Sequence, residues 1–324
     1  MLLVKPRAGR RFEADQAIWG RRGPLAIDGD DRLRMRLMTN TGSSSLRVTP
    51  LGGPLGADIE GVDLSQEIDA AALAAILEAW ARHLVLRFRG QRLDEDKLMA
   101  FSARFGSLDR APINTAATRL HANPFVLLVS NIVEDGRPIG SLGAYESQWH
   151  ADMSYKPQPP AGSLLYAVEV PAEGGDTGFL NMQRAYETLP ADLKAAIDGR
   201  VCTHDSSLNS AGELRAGHEE VTDPRRAPGA VHPLARAHPV TGRSVLYLGR
   251  RRNAYVHGLP LAESEALLDR LWAHAAAQEH AWYQRWRIGD LVLWDNFATV
   301  HRRDSFDAGS RRLMLRTQIG ARAA

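Results

Sequence analysis

Apolar and polar positions first alternate regularly at Leu46-Arg47-Val48-Thr49-Pro50-Leu51, the period-two signature of a half-buried β-strand. From Ile68 to Arg82 the period changes. Leu73, Ile76, Leu77 and Trp80 recur at helical spacing behind Asp69, a residue type that caps helix N-termini, so a helix is predicted. His83 to Arg89 alternates again through Leu84, Leu86 and Phe88. Leu93 to Phe105 sets Leu98, Phe101 and Phe105 on one face of a second helix, which Gly106 should end. These two helices are expected to cover one face of a sheet. Phe125 to Ser130 is a further short strand.

Beyond residue 160 strands dominate. Leu164 to Val170 reads as a strand, and Gly174-Gly175-Asp176-Thr177-Gly178-Phe179-Leu180 as a glycine turn entering another. Met182 to Ala196 is helical with a break at Pro190. Residues 205–230 mix Ser, Gly, Pro and charge without a period, the pattern of a long mobile loop, which fits a lid or an inert insertion. Short strands follow around His232-Pro233-Leu234, His238 and Ser244 to Leu248, with a turn at Thr241-Gly242. Leu261 to Ala277 is a helix with Leu267, Leu268, Leu271 and Trp272 inward. Trp282 to Arg287, Asp290 to Trp294 and Arg312 to Ile319 are the closing strands. There is no internal repeat and no clear linker, so the chain reads as one domain, a β-barrel core with helices outside.

Residues 1–45 differ from the rest: they are Arg-rich, run into Thr39-Asn40-Thr41-Gly42-Ser43-Ser44-Ser45 and show no period, as expected of a poorly ordered arm. Met35 and Met38 leave open a start further in. Cys202 is the one cysteine, which excludes an internal disulfide and a cysteine-rich metal site. The net charge of +2 gives no reason to expect a nucleic-acid partner. No apolar run approaches a membrane span and no secretory signal is evident, so a cytoplasmic location is expected.

Chemistry concentrates at Trp149-His150-Ala151-Asp152. On a strand, positions i and i+2 share a face, which would aim His150 and Asp152 the same way. His301 would complete two imidazoles and one carboxylate, the facial set that binds non-haem Fe(II) and leaves positions open for a co-substrate and O2. A lone His-x-Asp pair in a chain with eleven histidines is more often just a polar strand end, so its neighbours decide the matter. Arg312 and Arg316, spaced i, i+4, also share a face. Two inward arginines require anionic partners, whereas on the surface they would be unremarkable. Arg311 should point the opposite way, into solvent. Asp295 and Asn296 fit a turn or support for the ligands, Trp149 and Trp294 fit packing beside them, and the other histidines fit the surface or a hydrogen-bonded core.

Together with this stretch and His301, the motifs Gly174-Gly175-Asp176-Thr177, Trp294-Asp295-Asn296 and Arg311-Arg312 through Arg316 resemble the taurine dioxygenase family. This is the branch of Fe(II)/2-oxoglutarate-dependent oxygenases that also holds the phenoxyalkanoate-herbicide dioxygenases. The likeness covers residues 46–320. Order and spacing carry it: Asp152 precedes Thr177 by 25 residues, and His301 precedes Arg312 by 11 and Arg316 by 15.

The resemblance implies a mainly β fold with flanking helices around a double-stranded β-helix, or jelly-roll, core. It implies that His150, Asp152 and His301 bind Fe(II), that Thr177 and Arg312 hold the distal carboxylate of 2-oxoglutarate, and that Arg316 receives the substrate's acid. A guanidinium suits such work because it grips a carboxylate with two parallel hydrogen bonds. The implied reaction is hydroxylation of an sp3 carbon by O2, with 2-oxoglutarate leaving as succinate and CO2. Halogenating relatives lack the carboxylate that Asp152 supplies. A non-catalytic barrel that binds 2-oxoglutarate or another metabolite, and a desaturase with the same cofactors, are the alternatives. Relatives self-associate, so a homo-oligomer is expected.

The substrate implied is a small anionic organic molecule, a carboxylate or sulfonate, phenoxyalkanoate-like rather than taurine. In taurine enzymes an Asn four positions before the first metal histidine holds the substrate, and here that position is Glu146. A histidine eleven residues after the Phe-Gly motif contacts the sulfonate; counted from Phe105-Gly106, it is Ala116.

Overall fold

Asp69 accepts a hydrogen bond from Ala72 N at 2.7 Å and so satisfies one of the free N–H groups that open the helix Ala70–His83. The computed structural model, which describes residues 46–112, 121–145 and 147–321, buries Leu73, Ile76, Leu77, Ala79 and Trp80 of this helix. Asp94 caps the next one in the same way, through Lys97 N, over Glu95–Ser102. A 3-10 turn, Ala103–Phe105, extends it to Gly106, whose φ of 151° is open to glycine at little cost. Trp80, Phe105 and Phe101 meet edge to face at 5.6 and 5.1 Å and tie the two helices together. The expectation for residues 1–45, and those for Ala116 and Glu146, lie outside the described residues.

Both helices cover one face of an eight-stranded sheet. Its hydrogen-bonded order is Arg47–Pro50, Ala57–Glu60, Val85–Phe88, Leu291–Asp295, Gly162–Glu169, Leu313–Ile319, Leu127–Ser130 and Ser141–Leu142. The pairings are antiparallel except Ala57–Glu60 with Val85–Phe88 and Leu127–Ser130 with Ser141–Leu142. Period two divides each central strand between two cores. Leu164, Leu293 and Leu315 join Ile76, Phe88 and Phe101 under the helices, while Leu165, Val292, Trp294 and Met314 face the other way. Side chains buried to this degree contribute roughly 1.5–3 kcal/mol each.

Against that second face lies a three-stranded sheet, Thr177–Asn181 between Ala281–Gln284 and Thr299–Arg303. Phe179 crosses the gap to Trp294, with ring centroids 5.6 Å apart. The helix break at Pro190 falls as expected, between Met182–Glu187 and Ala191–Ile197, and the last long helix spans Leu261–Ala275.

Several strands have no counterpart in the sequence reading, among them Ala57–Glu60, Ser141–Leu142, Val201–Asp205, Tyr255–Val256 and Thr299–Arg303. Thr299–Arg303 shows why, because its one aliphatic residue is Val300 and its place comes from pairing with Thr177–Asn181. Residues 206–228 are largely irregular, as expected. Ser207, Leu208, Asn209 and Ser210 are nonetheless buried, and Leu208 bridges to Leu214. Among the described residues no helix is long and apolar enough to cross a membrane.

Candidate active site

His150, Asp152 and His301 come together, all buried, with one potential ligand atom from each lying within 4.8 Å of the others. His150 and Asp152 do not share a regular strand, as the spacing argument assumed. His150 forms an isolated antiparallel bridge to His301, with N to O distances of 2.9 and 2.8 Å, and the chain turns immediately after Ala151. Convergence therefore comes from that bridge and the turn.

Each side chain is held. His150 Nδ1 lies 2.7 Å from Gln148 O, so it carries the proton and leaves the Nε2 lone pair facing Asp152 Oδ1 at 3.8 Å. His301 Nε2 stands 3.9 Å from the same oxygen, and its ring packs against both Trp294 and Phe179, at 4.9 and 5.9 Å. Ser163 Oγ donates to Asp152 Oδ2 at 2.7 Å. Asn296 clamps the Asp152 backbone from both sides, accepting from its N at 2.7 Å and donating to its O at 2.8 Å. Asp295 orders the turn beneath, accepting from Phe297 N and Ala298 N and pairing with His238. Asp295 and Asn296 thus act as the sequence suggested, as turn and support.

Electrostatics prepare the three groups for a cation. Burial and the neighbouring His301 push His150 far below the usual imidazole range, and burial brings His301 down to about 4. Burial alone would raise the Asp152 carboxyl; Arg316, then His301 and His150, outweigh it and hold the group well below the usual carboxylate range. At neutral pH the donors are two neutral imidazoles and a carboxylate. This hard and borderline set, with spacings one ion can bridge, fits a divalent transition metal.

Arg312 and Arg316 both point inward and are buried, while Arg311 reaches solvent and pairs with Glu169 at 2.8 Å. Arg316 Nη1 donates to Asp152 Oδ1 at 2.9 Å. Arg312 is 2% exposed, and its Nε and Nη1 meet no partner among the described residues. Burial, and repulsion from Arg303, bring it down to about 9. Its surroundings suit an anion: Gly175 at φ 69°, where an added Cβ would lie 3.4 Å from Arg312 Nε, and the Phe306 ring. Thr177 is buried too, and its Oγ1 accepts from Trp286 Nε1 at 2.9 Å. That bond frees the Thr177 proton to be donated elsewhere.

Several residues at the site escaped sequence reasoning. Ser163 had a signal, a small hydroxyl residue that opens the apolar run Leu164–Val168 of the strand Gly162–Glu169. Trp286 and Arg250 had none, since their partners lie 109 and 42 residues away. His204 corrects an expectation: it is 1% exposed and neither ring nitrogen finds a partner among the described residues, so it is no hydrogen-bonded core histidine there.

Residues 47–318 match the family model described as taurine catabolism dioxygenase TauD, TfdA family. The chain is 34% identical to the alpha-ketoglutarate-dependent 2,4-dichlorophenoxyacetate dioxygenase of Cupriavidus pinatubonensis, over 84% of this chain and 96% of that protein. It is 34% identical to pentalenolactone F synthase of Streptomyces arenae, over 83% of this chain and 93% of that one. Among solved structures, AAD-2 in complex with Mn(II) and N-oxalylglycine superposes with a TM-score of 0.72 at 29% identity, over 86% of this chain and 98% of that one.

Proposed function

Since the chain belongs to the taurine catabolism dioxygenase TauD, TfdA family, we infer that it is an Fe(II)- and 2-oxoglutarate-dependent dioxygenase that hydroxylates an sp3 carbon of a small anionic organic substrate. The observation that carries this reading is the pairing of a His-Asp-His donor set with buried Arg312, whose Nε and Nη1 have no partner among the described residues and which lies four positions before Arg316, the residue bonded to Asp152. His150, Asp152 and His301 hold the iron. Arg312 and the Thr177 hydroxyl take the distal carboxylate of 2-oxoglutarate, which supplies the missing partner of a buried cation. Bound together, iron and 2-oxoglutarate supply the oxidising power, with succinate and CO2 as by-products.

The chain's own residues bind, orient and exclude water. Ser163 fixes the Asp152 carboxylate and Asn296 its backbone, Gln148 O fixes the His150 tautomer, and Trp294 and Phe179 wall the His301 ring from solvent. Arg316 receives the substrate's acid. A phenoxyalkanoate-like carboxylate is favoured by the likeness to the 2,4-dichlorophenoxyacetate enzyme. We read the two facing sheets as a jelly roll and residues 46–320 as one domain, and we expect a cytoplasmic homo-oligomer with no nucleic-acid or membrane partner. Light scattering tests the assembly.

The direct test is anaerobic addition of Fe(II) and 2-oxoglutarate to metal-free protein, followed by candidate sulfonates and phenoxyalkanoates. A visible metal-to-ligand charge-transfer band is expected, and it should shift when the substrate docks. Bound metal without any band would sink the dioxygenase reading in favour of a binding barrel.

A further inference from the structure

Arg250 is a buried arginine that the roles above leave without a task. Ala151 N donates to Gly249 O at 3.0 Å, which pins the residue after Gly249 beside the His150–Asp152 turn. Arg250 is 8% exposed; its Nη1 donates to Leu208 O at 2.7 Å, and its Nε has no partner among the described residues. It lines one cavity with His150, Asp152, Ser210, Arg215 and Arg316. Arg215 comes from the irregular segment, where its Nε also donates to Leu208 O, at 3.0 Å, and its guanidinium lies 4.2 Å from the Tyr155 ring centroid.

No ion pair compensates these two arginines among the described residues. Asp205 is near enough to interact electrostatically with Arg250, but its oxygens are taken by Ser207 and Asn253. Burial, with repulsion from Arg215, brings Arg250 down to about 10, the signature of cations crowded out of water. On the reading above, Fe(II) and the 2-oxoglutarate dianion cancel, and Arg312 and Asp152 fall within that set. Taken together, Arg215, Arg250, Arg316 and Arg312 against Asp205 and Asp152 leave two positive charges for the substrate, although Arg316 stays bonded to Asp152 and Arg250 also lies within electrostatic reach of Asp152. Arg316 accounts for one acid.

We propose that Arg250, backed by Arg215, forms a second anion subsite on this cavity, and that the substrate carries two acidic groups. This rests on the 2-oxoglutarate-dependent reading of the site. A purely structural Arg250, bracing Leu208 O, would give no preference for a second charge.

The test uses full-length protein with Mn(II) and 2-oxoglutarate under anaerobic conditions. Calorimetry compares phenoxyacetate with its ortho, meta and para ring-carboxylated forms. At least one diacid is expected to bind wild type about tenfold or more tightly than phenoxyacetate, as a desolvated charge-assisted pair should allow. Arg250→Gln should collapse that ratio to near one, and Arg250→Lys should keep most of it. Equal binding of mono- and diacids by wild type would overturn the second subsite, whether or not either variant folds. So would a diacid preference that survives Arg250→Gln. Binding of 2-oxoglutarate with no diacid preference defeats this proposal alone, whereas no binding of 2-oxoglutarate by the Mn(II)-loaded protein defeats the underlying reading as well.

Discussion

Arg316 Nη1 donates to Asp152 Oδ1 at 2.9 Å, so the arginine assigned to the substrate's acid is tied to the carboxylate assigned to the metal. Both side chains are buried, and each is the other's main electrostatic compensation. Asp152→Ala should therefore have two separable effects. It should abolish stoichiometric Fe(II) binding and 2-oxoglutarate turnover. In metal-free protein it should also cost about 3–5 kcal/mol, because Arg316 is left buried without its partner. Urea unfolding with chelator present measures the second effect, and the double variant with Arg316→Met should recover much of it.

The same buried groups set a pH dependence. His301 sits at about 4 against an ordinary 6.5, because burial disfavours the imidazolium. Between those values the unfolded chain binds a proton that the folded chain refuses. Stability is thus full above pH 6.5 and falls as pH drops toward 4, by about 3 kcal/mol from His301 alone. His150 and Asp152, also lowered, act in the same direction, Asp152 at more acidic pH. Thermal melting of metal-free protein should show this slope, and His301→Gln should flatten it. A melting temperature that rises on acidification would contradict the assigned burial.

Arg312 presents the opposite case, a cation whose partner must arrive from outside. Arg312→Met should lower 2-oxoglutarate affinity by about a hundredfold or more, since the site loses a bidentate charge pair. It should also leave ligand-free protein as stable or about 1–4 kcal/mol more stable, because an uncompensated buried charge is removed. Titration with 2-oxoglutarate and unfolding of the ligand-free variant check the two halves.

Trp286 offers a finer test. Its Nε1 donates to Thr177 Oγ1 at 2.9 Å and so directs the hydroxyl's own proton. Trp286→Phe removes one such bond, about 1 kcal/mol, and should raise the KM for 2-oxoglutarate roughly fivefold. The KM for the oxidised substrate should change less. A larger effect on the substrate would place Trp286 in the substrate's pocket instead.

Much of the fold was legible in the chain's periodicity. The helix capped by Asp69 and the one ended by Gly106 formed where apolar spacing put them, as did the strands Gly162–Glu169 and Leu313–Ile319. Local signals suffice there because capping, helical period and alternation act over a few residues. Thr299–Arg303 was not legible as a strand, although it carries His301, since Thr-Val-His-Arg-Arg holds too little apolar character to announce itself.

At the site, sequence by itself determined which groups are on offer and their spacing: imidazoles at His150 and His301, a carboxylate at Asp152, a hydroxyl at Thr177 and guanidiniums at Arg312 and Arg316, with the roles proposed above. Only the tertiary structure decided how they meet. The bridge between His150 and His301 spans 151 positions, and the turn after Ala151, rather than a strand's alternation, swings Asp152 toward them. It likewise left Nε and Nη1 of Arg312 and the Nε of Arg250 without partners among the described residues. The physical reason is range: a residue type and its spacing are local properties, whereas desolvation and charge compensation depend on every segment that packs nearby.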